Sequence, residues 1–312
     1  MKYFIGIDGG GTKSKCILTD QKLKIIYETT GGPSNFLMLG NDKVSETILN
    51  LIFECVQKNN LTFDDISAIV LGTTGGGRRN DAESLEITIQ NLAKSQQINL
   101  NNFRVESDAR IALEGAFSGK PGSILIAGTG SIMFGKDRLG NIHRVGGFGR
   151  FIGDEGSGFR LGQRGLNSIA KEFDGRGNKT LISKLLKEKF NIESPENLIT
   201  EIYRNNFDIA SVAPLVIEAA EKGDKISVNI IESEAEEIIL HISAMKNKLN
   251  EKILSISFIG SLLTKDNFYS YLVKEKIVQQ FDDIVIKEAE NSPEFGAVLM
   301  AKTLFENSQF TS

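Results

Sequence analysis

Apolar positions open the chain in three short runs: 3–7 (YFIGI), 15–19 (KCILT) and 24–27 (KIIY), parted by glycines and by a polar turn at 20–22. Runs of that length and spacing predict an antiparallel meander of three strands. Val44, Ile48, Leu51, Ile52, Cys55 and Val56 then recur at helical spacing, and 66–71 (ISAIVL) reads as a buried strand. Helical periodicity at 85–92, a strand at 103–106 and helix formers over 109–117 follow. After SGKPG (118–122), the expected hinge, the stretch SILIAGTGSIMFGKDRLGNIHRVGG repeats the opening scheme. It has an apolar strand, a Gly/Thr/Ser loop, a second strand, a polar turn with an acid (Asp137, as Asp20 before), and a third strand. A duplicated meander predicts two related α/β halves.

The middle, 160–250, is helical and polar. Val228, Ile231, Ala235, Ile238, Ile239, Ile242, Met245 and Leu249 line one face of a long helix, whose charged residues read as a solvated face. A strand–glycine unit, ISFIGSLLTKD, lies at 256–266. The last helix is announced by Ser292 as N-cap, Pro293 at the first helical position and Glu294 in the first turn. The expected division is 1–118 plus 293–312 as a smaller domain and 119–292 as a larger one.

Composition narrows the classes. Of 312 residues 40% are hydrophobic and 24% charged, with a net charge of −4 and no basic stripe, which argues against nucleic acid. No apolar run approaches a membrane span and no signal peptide is visible. With only Cys16 and Cys55, a cysteine-built zinc or iron–sulfur site within one chain is excluded. A reducing, cytoplasmic setting is expected. His143 and His241 show no partner pattern.

Four segments at strand ends carry candidate chemistry: DGGGTK (8–13), ESD (106–108), AGTGS (127–131) and GDEGS (153–157). In a P-loop or dinucleotide fold the glycine-rich loop leads into a helix; here it leads into a strand. Glycines let backbone N–H groups approach phosphate oxygens, Thr12 and Thr129 add hydroxyls, and Lys13 adds a cation. Asp8 ends a buried strand, where an acid is costly unless it serves a metal or a hydrogen-bond network. Structural readings stand beside these. Asp108 also suits a helix N-cap, Asp154 and Glu155 suit turn acids, and Asn35 suits a turn. Cys16 suits a small core residue, and Arg78 and Arg79 suit a solvated loop.

Together with GGPSNFLMLG (31–40), GGFGRFIGDEGS (146–157), FIGS (258–261) and SPEFGAVLMA (292–301), these segments resemble the sugar-kinase, heat-shock chaperone and actin superfamily. More narrowly, they resemble the N-acetylglucosamine kinase branch of the BadF/BadG/BcrA/BcrD ATPase family. The resemblance implies an α/β fold of two actin-like (ribonuclease H-like) domains. Each would have a mixed five-stranded sheet flanked by helices, around an interdomain cleft that closes over its ligands. Gly10, Gly11, Thr12 and Lys13 would embrace the β- and γ-phosphates of ATP, and Asp8 would position Mg²⁺. Gly128, Thr129 and Gly130 would form the second phosphate loop, with Gly260, Ser261 and Ala210 by the adenosine. Asn35, Thr74, Asp108, Ser131, Gly147, Phe148, Gly149 and Asp154 would surround the sugar, with Asp108 as the base.

The implied activity is ATP-dependent phosphorylation of the 6-hydroxyl of an amino sugar, N-acetylglucosamine first, by a homodimer. Alternatives are glucosamine, N-acetylmuramic acid, a non-catalytic sugar sensor, and an activator ATPase with an intersubunit cluster. The two cysteines, in unrelated elements, speak against the last. Phe148 stands where mammalian members carry tryptophan, and the zinc motif of repressor-type sugar kinases is absent. Arg150 would suit an acidic sugar or simply solvent.

Overall fold

A computed structural model describes residues 2–310, and they fall into two compact units. The first takes the chain up to Pro121 and resumes at Glu288; the second is Gly122–Lys287. In the first, β1 (Tyr3–Gly9), β2 (Ser14–Asp20), β3 (Ile25–Gly31), β4 (Ile66–Thr73) and β5 (Phe103–Ser107) form a sheet of order β3-β2-β1-β4-β5. The meander is antiparallel, while β4 and β5 run parallel to β1. Alternation along β1 sends Ile5 and Ile7 to a core built with the crossover helices Asn41–Lys58 and Arg79–Ser95. Phe4 faces the other side, with Ala68, Val70 and Ile111.

That second face is covered by helix Asp108–Ala116 and by the closing helix Pro293–Phe310. The approach is backbone to backbone: a Cβ on Gly6 would stand 2.2 Å from the Glu294 carbonyl, and one on Gly296 1.9 Å from that of Ile111. Only glycine admits so close a seat.

The second unit repeats the scheme with β6 (Gly122–Ala127), β7 (Ser131–Lys136), β8 (Ile142–Gly146), β9 (Leu254–Ile259) and β10 (Ile284–Ile286), in order β10-β9-β6-β7-β8. Here too the first three strands are antiparallel and the last two parallel to β6. A helical insertion separates β8 from β9. Its long member, Lys225–Leu249, is capped by Asp224 and buries the predicted face, with Val228 at its half-buried margin. The mixed five-stranded sheets with flanking helices are those the resemblance implied.

Local differences from the sequence reading have local causes. β3 extends to Gly31 through polar Glu28, Thr29 and Thr30, because an edge strand leaves alternate positions to solvent. β10 spans three residues, too few to show a period. His143 does have a partner, Asp137 Oδ2 at 3.0 Å, and that contact above all holds the Asp137 carboxyl down at about 2. Cys16 and Cys55, far apart in sequence, meet sulfur to sulfur at 3.4 Å as buried free thiols. Among the described residues no helix is long and apolar enough to cross a membrane.

Candidate functional site

In the first unit the last rung of the β1–β2 ladder pairs Gly9 with Ser14, so residues 10–13 cross between the strands. The Gly10 N–H donates to the Lys13 carbonyl at 3.0 Å, and the Gly10 carbonyl accepts the Ser34 N–H at 3.0 Å. Thr12 and Lys13 are exposed, and a Cβ on Gly11 would meet nothing within 4 Å. The loop therefore presents accessible N–H groups, a hydroxyl and an ammonium to the same solvent space.

Asp8 is the penultimate residue of β1, at the foot of this loop. Burial first, then the nearby Glu294 and Asp108 carboxylates, push its carboxyl up to about 6 against the opposing pull of Lys15. Glu294, in the first turn of the closing helix, is only 6% exposed and pairs with Lys15 Nζ at 3.2 Å. An acid cluster with the Lys15 ammonium at its edge suits a hard cation. Among the described residues no three or more His, Cys, Asp or Glu side chains are placed to hold one by themselves. That combination fits an ion taking few protein ligands and several waters, as Mg²⁺ does.

Asp108 opens its helix, but it does not cap it. Ser107 is the cap, its side chain accepting the Arg110 N–H at 3.1 Å. This frees Asp108, whose carboxylate accepts the Thr74 hydroxyl at 2.9 Å on one oxygen and the Ala109 N–H at 2.8 Å on the other. Thr74 is anchored in turn, its N–H donating to the Gly9 carbonyl at 3.2 Å. Asn35 sits at the N-cap of the short helix Phe36–Leu39 yet makes no capping bond, and its buried Oδ1 has no partner. That oxygen is open to a donor from outside the chain.

In the second unit the corresponding loop, 128–130, closes with the Gly128 N–H on the Gly130 carbonyl at 2.9 Å. Its support is the start of helix Gly158–Phe173. The Gly158 N–H donates to the Gly128 carbonyl at 2.8 Å, and the Phe159 N–H to that of Thr129 at 3.0 Å. Asp154 adopts φ +60°, uncommon for a non-glycine residue, and its Oδ1 lies 3.5 Å from the Ser131 N–H. The Ser131 hydroxyl donates to the Glu155 carbonyl.

Gly260, at φ +95°, stands so close to β6 that a Cβ would lie 2.3 Å from the Ala127 carbonyl. Ala210, in the turn Ile209–Val212, flanks Gly158. Gly128, Ala210 and Gly260 therefore meet around one loop, with Ser261 just beyond. Gly147 and Gly149, both at positive φ, flank Phe148, which is 68% exposed; Arg144 donates to the Gly146 and Gly147 carbonyls beneath it. A cleft of about 420 Å³ opens among Thr129, Asp154, Arg150, Phe159, Phe207 and Asp208.

The predicted residues thus fall into two groups. Asp8, residues 10–13, Asn35, Thr74 and Asp108 gather in the first unit; residues 128–131, 147–149, Asp154, Ala210, Gly260 and Ser261 belong to the second. Sequence reasoning missed three supports. Glu294 was legible only as a helix start. Ser107 was overshadowed by its acidic neighbour. Glu234, assigned to a solvated helix face, is 4% exposed; it accepts the Gly156 N–H at 2.7 Å and pairs with Arg164 at 2.9 Å, holding the GDEGS loop.

Residues 5–301 match the BadF/BadG/BcrA/BcrD ATPase family. A Clostridium acetobutylicum protein named N-acetylmuramic acid/N-acetylglucosamine kinase is 33% identical over 309 residues, covering 97% of this chain and 99% of its own. The N-acetyl-D-glucosamine kinase of Dictyostelium discoideum is 30% identical, covering 96% and 98%. A solved structure from Chromobacterium violaceum, named as a candidate N-acetylglucosamine kinase, is similar in fold with a TM-score of 0.71, at 24% identity and covering 96% and 99%. The match spans both sheets and all the strand-end segments described above, and the chain belongs to the BadF/BadG/BcrA/BcrD ATPase family.

Proposed function

We propose that the protein transfers the γ-phosphoryl group of ATP to the 6-hydroxyl of an amino sugar, with N-acetylglucosamine the first candidate. The observation that carries this reading is the Asp108 carboxylate, held between the Thr74 hydroxyl and the Ala109 N–H beside the acid-lined phosphate loop. A carboxylate has about four lone-pair sites, so two remain for a substrate hydroxyl. In this reading Asp108 takes the hydroxyl proton as the oxygen bonds to phosphorus and the bond to ADP breaks; the proton then passes to solvent. Residues 10–13 in the first unit and 128–130 in the second would each serve phosphate oxygens, and Asn35 Oδ1 would find its missing donor on the sugar.

Asp8, backed by Glu294, would hold Mg²⁺, largely through water. Held there, such an ion would neutralise phosphate charge. The names of the two curated relatives support the substrate class. The same reading makes the protein a cytoplasmic homodimer; the two buried free thiols suit the reducing compartment.

The test is ADP release with Mg·ATP against N-acetylglucosamine, glucosamine, N-acetylmuramic acid, N-acetylmannosamine and glucose. Turnover with an acetylated amino sugar well above glucose is expected. No turnover on any of them would refute the kinase reading.

A further inference from the structure

Four arginines lie between residues 144 and 164 of the second unit, and three of them are committed. Arg144 donates to the Gly146 carbonyl at 3.0 Å, Arg160 to the Gly153 carbonyl at 2.9 Å and to Gln163, and Arg164 to Glu234 and Ser233. Arg150 differs. It is exposed, it lines the cleft, and its contact is the face of the Phe151 ring, 5.1 Å from the guanidinium carbon to the ring centroid. A guanidinium held over an aromatic face by this attraction alone keeps its N–H groups available to an anion.

The acids sharing the cleft do not take up that fork. Asp154 faces the Ser131 N–H, and Asp208 accepts the Ala210 N–H at 3.1 Å. The cleft therefore offers acceptors for hydroxyl groups beside an open fork for an anion, in a volume of about 420 Å³ that falls within the range of small-ligand sites.

We infer that Arg150 is a specificity residue that binds the carboxylate where the amino sugar carries one, and so sets the choice between an acidic and a neutral amino sugar. The inference rests on the amino-sugar reading above. A guanidinium pairs with a carboxylate through two parallel hydrogen bonds, while a neutral sugar offers it nothing comparable.

Wild type and Arg150→Gln are titrated with N-acetylmuramic acid and with N-acetylglucosamine, by calorimetry without nucleotide and by ADP release with Mg·ATP. The substitution should weaken N-acetylmuramic acid binding and cut its kcat/KM by about 10- to 100-fold, mainly through KM. The values for N-acetylglucosamine should move less than about threefold, and Arg150→Lys should retain part of the acidic-sugar activity. Equal losses for the two sugars overturn the inference. So does a raised KM for ATP, which would give the guanidinium to the nucleotide phosphates, and so does a wild type that binds only the neutral sugar. Selective loss of binding without any phosphorylation sinks the kinase reading and leaves this inference standing. Absence of binding by either sugar sinks both.

Discussion

The two hairpin loops hold equivalent places in two sheets of the same strand order, yet they are built differently. The first crosses from Gly9 to Ser14, with Asp8 one rung back in its leading strand; the second crosses from Ala127 to Ser131, with the apolar Ile126 one rung back. The first leans on a loop residue, Ser34, and carries an exposed lysine. The second leans on the start of a capped helix and carries no charge of its own. The backbone scheme is repeated, while only the first loop carries a charged residue within it. Asp8, Asp108 and Glu294 cluster in the first unit, where a cation and a proton acceptor are useful. The second offers neutral N–H groups and a helix start, which suit an anion without titrating.

If the chemistry resides in the first copy, Asp108→Asn should have the largest effect. Turnover should fall about 10²–10⁴-fold with KM for ATP within a few-fold of wild type. Steady-state kinetics with both substrates varied would show it, and a near-normal kcat would remove the base from this copy.

Asp8 gives the next effect, and its sign is opposite for activity and stability. Its carboxyl is raised from 3.8 to about 6, so the folded protein binds this proton more tightly than the unfolded chain does. Stability is therefore highest below about 4, falls as pH rises to about 6, and stays reduced above, by on the order of 3 kcal/mol at most. Ligand-free Asp8→Asn should accordingly melt above wild type at pH 8, with the gap closing toward pH 4. Its kinase activity should be lost, and wild-type activity should decline below about pH 6. A variant that melts no higher at pH 8 would show that the acid cluster is not strained.

The glycines sharpen the contrast further. Gly260→Ala forces a Cβ onto the Ala127 carbonyl at positive φ and should destabilise the second unit by about 1–3 kcal/mol or more. Gly11→Ala meets open space, so its melting temperature should stay close to wild type while KM for ATP rises several-fold. Reversal of these two results would mean that the first loop is a structural turn.

Much of this was legible in the sequence because the signals are local. Strand runs broken by glycines located both meanders, and the acids and hydroxyls at strand ends marked both groups of candidate residues. What escaped depends on contacts between distant segments. Nothing near Glu294 says that it will lie beside Asp8, because the two are joined only when the closing helix seats on Gly6. Glu234 carries the spacing of a solvated helix face, and only the Gly156 N–H and Arg164, brought from another helix, make its burial tolerable. Asp108 and Ser107 are both good caps by type, and only backbone geometry chose between them.

The seat of the closing helix also sets an order of events during synthesis. Residues 122–287 form the second unit as one uninterrupted stretch and leave the ribosome with both of its parallel strands in hand. The first unit starts earlier but waits for residues 293–310 to cover Phe4, Ile17 and Val70. The phosphate loop nearest the N-terminus therefore belongs to the unit completed last, and until then one apolar face of its sheet is covered only by helix Asp108–Ala116.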